Sequence, residues 1–103
     1  MTTAHFSALA DPTRQRIMEM LAGGALCAGD IAEQFELSAP AVSQHLKTLR
    51  QARLVKVRAE AQKRIYELDP DGLAELSDWV ARIQAFWTPR LDALERALKK
   101  DAR

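Results

Sequence analysis

The chain has 103 residues, of which 48% are hydrophobic and 28% are charged, with a single cysteine. These values are typical of one folded globular domain, and they argue against a disordered chain or a disulfide-rich secreted scaffold. No segment has the roughly 18 uncharged apolar residues of a membrane span, and the N-terminus does not resemble a signal peptide. We therefore expect residues 1–103 to form a single cytoplasmic domain that does not associate with membranes.

The net charge of +1 hides a segregation of charge along the chain. Residues 1–37 carry two basic and five acidic residues, and residues 67–103 carry six basic and eight acidic residues. The segment between them, residues 38–66, carries seven basic residues and only one acidic residue, Glu60. A basic middle segment between acidic ends favours a polyanion-binding surface, although a run of charge is also found on ordinary solvated faces.

The N-terminal segment predicts two helices. Phe6 and Leu9 fit a short first helix whose apolar side needs a partner beyond its own few neighbours, so we expect it to form part of a dimer interface. Asp11 and Pro12 supply a capping side chain and a first-turn proline for a second helix. Gly23-Gly24 should end that helix.

Two further helices with a short connection between them predict a helix-turn-helix. The first covers residues 28–35. Ser38 caps the second, which runs from Ala39 to about Ala52 and carries an inward stripe of Val42, Leu46 and Leu49.

The second of these helices has the composition of a helix that enters the major groove of DNA. Small residues at its start allow close approach, and serine, glutamine, histidine and lysine can hydrogen-bond to base edges. Its predicted DNA-contacting residues are Ser38, Ala39, Pro40, Ser43, Gln44, His45 and Lys47. For His45 two interpretations stay open, because it can contact DNA or pack against the supporting helix.

A β-hairpin is predicted directly after the helix-turn-helix. Residues 54–58 and 64–68 alternate apolar and charged residues, and residues 59–63 join them. We expect the hairpin to present its basic residues on one face, as a wing that reaches phosphates or the adjacent minor groove. These predicted wing contacts are Lys56, Arg58, Lys63 and Arg64.

Residues 69–71 open a final helix whose apolar stripe is longer than one small core can cover. The stripe consists of Leu73, Leu76, Val80, Ile83, Trp87, Leu91, Leu94 and Leu98. Pro89 interrupts it and predicts a break near residues 86–88. Trp79, Phe86 and Trp87 fit anchors of a core or interface, or alternatively the lining of a small-molecule pocket.

Three segments together resemble the ArsR/SmtB family of repressors over nearly the whole chain: FSALADPTRQRIMEML, then DIAEQFELSAPAVSQHLKTLRQARLVKVR, then RIYELDP. The resemblance implies a mainly α winged helix-turn-helix with one small hairpin, in the order α-α-α-α-β-β-α. It further implies a homodimer, formed through the first and last helices, on an imperfect DNA palindrome. The predicted interface residues are Phe6, Leu9, Leu73, Leu76, Trp79, Val80, Ile83 and Trp87.

The sequence departs from this family in two places. The wing turn reads Glu60-Ala61-Gln62, without the common glycine, so we expect a loop longer than a tight type I′ turn. Metal-sensing relatives carry cysteine pairs or clusters on the last helix, whereas this chain offers His5, His45 and Cys27 besides its carboxylates. We therefore predict neither a metal site nor a cofactor.

The function predicted from the sequence is sequence-specific repression of transcription by a homodimer bound to double-stranded operator DNA. Catalysis is not expected, because Ser43 and His45 point in different directions on a helix. Two alternatives remain. One is a winged helix that binds an acidic protein, and the other is a repressor gated by a small molecule through the last helix, or by oxidation of Cys27. The sequence specifies no effector.

Overall fold

The structure is a computed structural model, and it describes residues 2–101. Five helices and three short strands form in the order α1 (Thr2–Leu9), α2 (Pro12–Ala22), β1 (Leu26–Cys27), α3 (Ala28–Glu33), α4 (Ala39–Gln51), β2 (Val55–Glu60), β3 (Lys63–Leu68) and α5 (Pro70–Asp101). The expected mainly helical winged fold is confirmed. The two-residue strand β1 is an addition, because a segment that short has no periodicity to detect.

The signals at the ends of α2 act as predicted. The Asp11 carboxylate accepts a hydrogen bond from the backbone N–H of Arg14 at 3.0 Å, and Pro12 occupies the first turn. At the other end the Gly23 N–H donates to the carbonyl of Met20, and Gly24 has a φ of +135°. Few residues other than glycine adopt that φ, so the chain can turn there towards β1.

The core lies between α2, α3, α4 and one face of the sheet. Its largest fully buried side chains are Ile17, Ile31, Val42, Leu46, Leu49, Leu54 and Val55. Tyr66 and the small residues Ala8 and Ala52 complete the cluster. The buried stripe of α4 therefore holds that helix against the body and leaves its other side to solvent.

The hairpin is longer and tighter than the sequence analysis predicted. β2 and β3 pair in register from Val55 opposite Leu68 to Glu60 opposite Lys63, so only Ala61 and Gln62 remain in the turn. The expectation of a longer loop was wrong. Ala61 has a φ of +57° and Gln62 does not have a positive φ, so an alanine takes the left-handed position and the turn is not type I′.

The long helix α5 also differs from expectation. It runs without interruption from Pro70 to Asp101, so the predicted break at residues 86–88 is wrong. Pro89 removes one backbone hydrogen bond, to the carbonyl of Ala85, which is exposed and accessible to water. One turn of helix is tied there by Arg90, whose guanidinium donates to the Phe86 carbonyl at 2.8 Å and stacks 3.8 Å from the Phe86 ring centre.

The start of α5 is locked beneath the turn between α4 and β2. Gly72 is buried, and a Cβ atom at this position would lie 1.6 Å from the carbonyl oxygen of Arg53. Arg53 itself has a φ of +61°, and its guanidinium binds Glu75 of α5 at 3.0 Å. Only glycine allows this approach of two backbones.

The second part of α5 projects from the body. The molecule extends 66 Å along its longest axis and has a radius of gyration of 18.7 Å, against about 13 Å for a compact domain of this length. Every residue from 80 to 101 is exposed, and we name this segment the distal arm. Within residues 2–101, no helix is both long and apolar enough to cross a membrane.

Candidate nucleic-acid interface

The helix α4 is fixed at its start by a side-chain cap. The Ser38 hydroxyl accepts a hydrogen bond from the backbone N–H of Ala41 at 3.2 Å, and Pro40 lies in the first turn. Other N–H groups of this turn remain exposed, and the partial positive charge of a helix N-terminus favours anions such as phosphate. The cap and the buried stripe together present α4 as a rigid ridge.

The outer face of α4 carries hydrogen-bonding and basic side chains and no carboxylate. Its exposed residues are Ser38, Ala39, Pro40, Ser43, Gln44, Lys47, Arg50 and Gln51. Of these, Gln44, Lys47 and Gln51 lie on the side opposite the buried stripe, because they are three and four residues apart. Gln51 was missed by the sequence analysis, although the same helical spacing identifies it.

His45 is directed away from the exposed outer face, towards the start of α2. Its side chain is only 22% exposed, with Nδ1 lying 3.2 Å from the Arg14 guanidinium and 4.0 Å from the Asp11 carboxylate. The structure therefore places His45 between α4 and α2, in the supporting position that the sequence had left open.

Arg14 joins three helices at this point. Besides its contact with His45, its Nε donates to the carbonyl of Ala8 at 2.6 Å, and its Nη2 lies 3.5 Å from the carbonyl of Ser7. A cation at these last carbonyls of α1 complements the negative end of the helix dipole. Hydrogen bonding from the Arg14 backbone N–H lowers the pKa of the Asp11 carboxyl, and the charges of His45 and Arg14 add to this effect.

The hairpin divides the predicted wing residues between its two faces. Cross-strand partners share a face, so the pairs Lys56–Glu67 and Glu60–Lys63 place Lys56, Lys63 and, by alternation, Arg58 on one side. Arg64 pairs with Ala59 and lies on the other side. The expectation that all four basic residues share one face was wrong, because the tight turn pairs Arg64 with a residue of the opposite face.

Two carboxylates lie among the wing cations. Glu67 accepts from Arg58 at 3.1 Å and lies 3.8 Å from Lys56, while Glu60 lies 3.7 Å from Arg58. Glu67 falls one residue beyond the basic segment of the sequence, which is why charge counting did not reveal its effect. The wing face therefore has less free positive charge than its lysines and arginines suggest.

Arg64 and Lys63 line a cavity of about 430 Å³ with Gln62 and the start of α3, and Cys27 also lines it. Cys27 is partly buried and occupies the N-cap position of α3 without a side-chain capping bond. A role for this thiol in sensing remains a hypothesis.

The predicted dimer residues fall into two groups. Leu9, Leu73 and Leu76 are partly buried against the core of their own protomer. Phe6 and Trp79 pack edge to face, with ring centres 4.9 Å apart, and so join α1 to α5. Beside them Val80, Ile83 and Trp87 are exposed, Trp87 by 50%.

The three predicted metal-ligand candidates do not converge. His5 is buried in α1, where its Nε2 lies 3.9 Å from Glu75, whereas His45 contacts Arg14 and Cys27 caps α3. Among residues 2–101 no three His, Cys, Asp or Glu side chains are grouped as metal ligands would be.

Comparison with known proteins places this geometry in a family. Residues 11–57, from the cap of α2 into β2, match the model of the bacterial regulatory protein arsR family. The chain is 50% identical over 86 residues to the HTH-type transcriptional regulator Rv2034 of Mycobacterium tuberculosis, covering 84% of this chain and 78% of that protein. It is 40% identical over 75 residues to the transcriptional repressor SdpR of Bacillus subtilis, covering 73% of this chain and 83% of that one.

The fold comparison agrees with the sequence comparison. An ArsR-like transcriptional regulator from Rhodococcus sp. RHA1 superposes with a TM-score of 0.75 at 27% identity, covering 92% of this chain and 90% of that one. A capped helix with a basic, carboxylate-free outer face, followed by a hairpin, is the DNA-reading unit of such proteins. The chain therefore belongs to the ArsR family of bacterial regulatory proteins and is a DNA-binding transcriptional regulator.

Proposed function

We propose that this protein is a homodimeric repressor that binds a palindromic operator and acts in the cytoplasm without a metal signal. In this proposal residues 1–103 act as one unit, with α4 in the major groove, the hairpin on the flanking backbone and α5 in the dimer interface. Binding of the operator would block access of RNA polymerase.

The observation that carries the proposal is the outer face of α4. Gln44 and Lys47 are fully presented beside the small residues Ala39 and Pro40, and the helix contains no acidic residue to repel phosphates. Gln44 can read an adenine through two hydrogen bonds, and Lys47 can bind a guanine edge or a phosphate. Ser43 lies beside both residues.

The dimer is supported by the apolar surface that α1 and α5 expose together. A monomer leaves Phe6 43% exposed beside Val80, Ile83 and Trp87, and such a contiguous apolar surface is typical of an interface. Two copies related by a two-fold axis would present two α4 helices to successive major grooves, about 34 Å apart. A palindromic site matches that symmetry.

The proposal is tested by fluorescence anisotropy with the DNA upstream of the protein's own gene and a scrambled duplex as competitor. The substitution Gln44→Ala should cost about 1–3 kcal/mol for each half-site and reduce the preference over scrambled DNA. The substitution Lys47→Gln should reduce the salt slope by about 0.9 per protomer. Its matched control is Lys100→Gln, which removes the same charge at the far end of α5.

Equal affinity for the two duplexes, or unchanged binding in both α4 variants, would overturn operator recognition and favour a protein-binding winged helix. Independence from metal is tested in the same assay, where neither chelator nor added zinc should change the affinity. Repression is tested by a reporter gene placed behind the bound DNA.

A further inference from the structure

The distal arm carries an apolar stripe that its own protomer does not cover. Six large residues of the stripe are exposed to a degree that rises along the helix, from 39% at Val80 to 60% at Leu98. The six are Val80, Ile83, Trp87, Leu91, Leu94 and Leu98. The stripe lies mostly outside the part of the chain that matches the family model and extends beyond the interface residues considered above.

The spacing of these residues is nearly the same in both directions from Pro89. Reading outward, the pairs are Trp87 with Leu91, Ile83 with Leu94, and Val80 with Leu98, and each pair is centred within half a residue of position 89. A helix with this pattern can pair with a second copy of itself running in the opposite direction, so that each residue meets its counterpart. Pro89 falls on the face opposite the stripe, because two residues along a helix turn it by about 200°.

The charges of α5 favour the same orientation. Its first turns contain Asp71, Glu75 and Asp78 and no basic residue, whereas its last turns contain Arg96, Lys99 and Lys100 with Asp101. A parallel pair would place like charges side by side at both ends. An antiparallel pair places the acidic end of one helix beside the basic end of the other and also opposes the two helix dipoles.

We propose that a second copy of this chain covers the distal arm, with the two α5 helices antiparallel and the two-fold axis close to Pro89. This inference rests on the homodimer of the proposed function and specifies its orientation and register. In this arrangement the last turn of one α5 lies beside the Phe6–Trp79 pair of the other protomer, so that α1 is also covered.

The register is tested by disulfide cross-linking in a Cys27→Ser background. The double variant Val80→Cys/Leu98→Cys should form a disulfide-linked dimer on mild oxidation, because the two positions face each other across the axis. The single variants Val80→Cys and Leu98→Cys should not, because each position lies far from its own copy. All three substitutions are at exposed positions of the protomer, so its folding should be preserved.

Other cross-linking results overturn the inference in distinguishable ways. A disulfide dimer of the single variant Leu98→Cys shows a parallel pair, and one of Val80→Cys shows an axis near the start of the arm. A protein that sediments as a dimer without any cross-link refutes the register and leaves the proposed homodimer standing. A protein that sediments as a monomer refutes both proposals.

A second measurement tests whether the stripe contributes to association. The triple variant Leu91→Gln/Leu94→Gln/Leu98→Gln should weaken dimerisation at least about 100-fold in sedimentation equilibrium, because three large apolar side chains lose their burial. The control Arg96→Gln, on the opposite face of the same arm, should leave dimerisation unchanged. Equal dimer affinity in the triple variant and the control contradicts the inference.

Discussion

Removing the negative charge of Glu67 should strengthen DNA binding. The Glu67 carboxylate lies 3.1 Å from the Arg58 guanidinium and 3.8 Å from the Lys56 ammonium, and it holds both cations of the wing. The substitution Glu67→Gln keeps the size of the side chain and leaves the two cations available to phosphates. These groups are half exposed, so the lost ion pairs should reduce stability by no more than about 1 kcal/mol.

The expected gain in affinity follows from counterion release. Each additional phosphate contact adds about 0.9 to the slope of log K against log salt, which amounts to about fivefold in affinity at 0.15 M salt. One new contact per protomer therefore predicts a slope steeper by about 1.8 for a dimer, with tighter binding to specific and scrambled duplexes alike.

Anisotropy titrations between 0.05 and 0.3 M salt, on the order of the physiological range, measure both quantities. The control Asp92→Asn removes one negative charge from the distal arm and should change neither the affinity nor the slope by as much. If Glu67→Gln binds DNA with the affinity and salt slope of the wild type, the hairpin does not approach the phosphate backbone, and the role given to the wing is wrong.

Three further predictions concern stability. Gly72→Ala should lower the free energy of unfolding in urea by about 3 kcal/mol or more, because its Cβ would overlap the Arg53 carbonyl, whereas Gly29→Ala, with open space around it, should not destabilise. Ser38→Ala should cost about 1 kcal/mol in the same measurement and Ser38→Asp should not, because aspartate also caps helices. The lowered pKa of Asp11 stabilises the fold above the usual value of 3.8, so the thermal stability of the wild type relative to Asp11→Asn should be constant above about pH 5 and fall as the pH drops through the folded-state pKa.

The parts of the fold that sequence predicts well are those set by local signals. The caps at Asp11 and Ser38, the glycines after α2 and the inward stripe of α4 all act between residues close in the chain, so their patterns are visible without a structure. The tight wing turn was not predictable in this way, because Ala61 adopts a positive φ that alanine rarely takes by itself and that the pairing of β2 with β3 stabilises.

The same distinction applies to the candidate interface. Exposure of Gln44 and Lys47 follows from helical spacing, whereas the orientation of His45 depends on Arg14, which is 31 residues away in the chain. The effect of Glu67 on Lys56 and Arg58 likewise depends on the register of the hairpin. Continuity of α5 through Pro89 was mispredicted because the cost of an interior proline was treated as decisive, although only one hydrogen bond is lost on a solvated face.

The contacts that hold α4 show how the reading helix is coupled to the proposed dimer surface. Near its middle, His45 contacts Arg14, which binds the last carbonyls of α1. Just after its C-terminal end, Arg53 binds Glu75 of α5. Because α1 and α5 also carry the exposed Phe6 and the distal arm, the direction in which α4 points relative to a partner is determined inside each protomer. Antiparallel pairing of the arms would then set the separation of the two α4 helices, and a change of register along α5 would alter that separation by about 3 Å for each residue by which the axis moves, since each protomer shifts 1.5 Å.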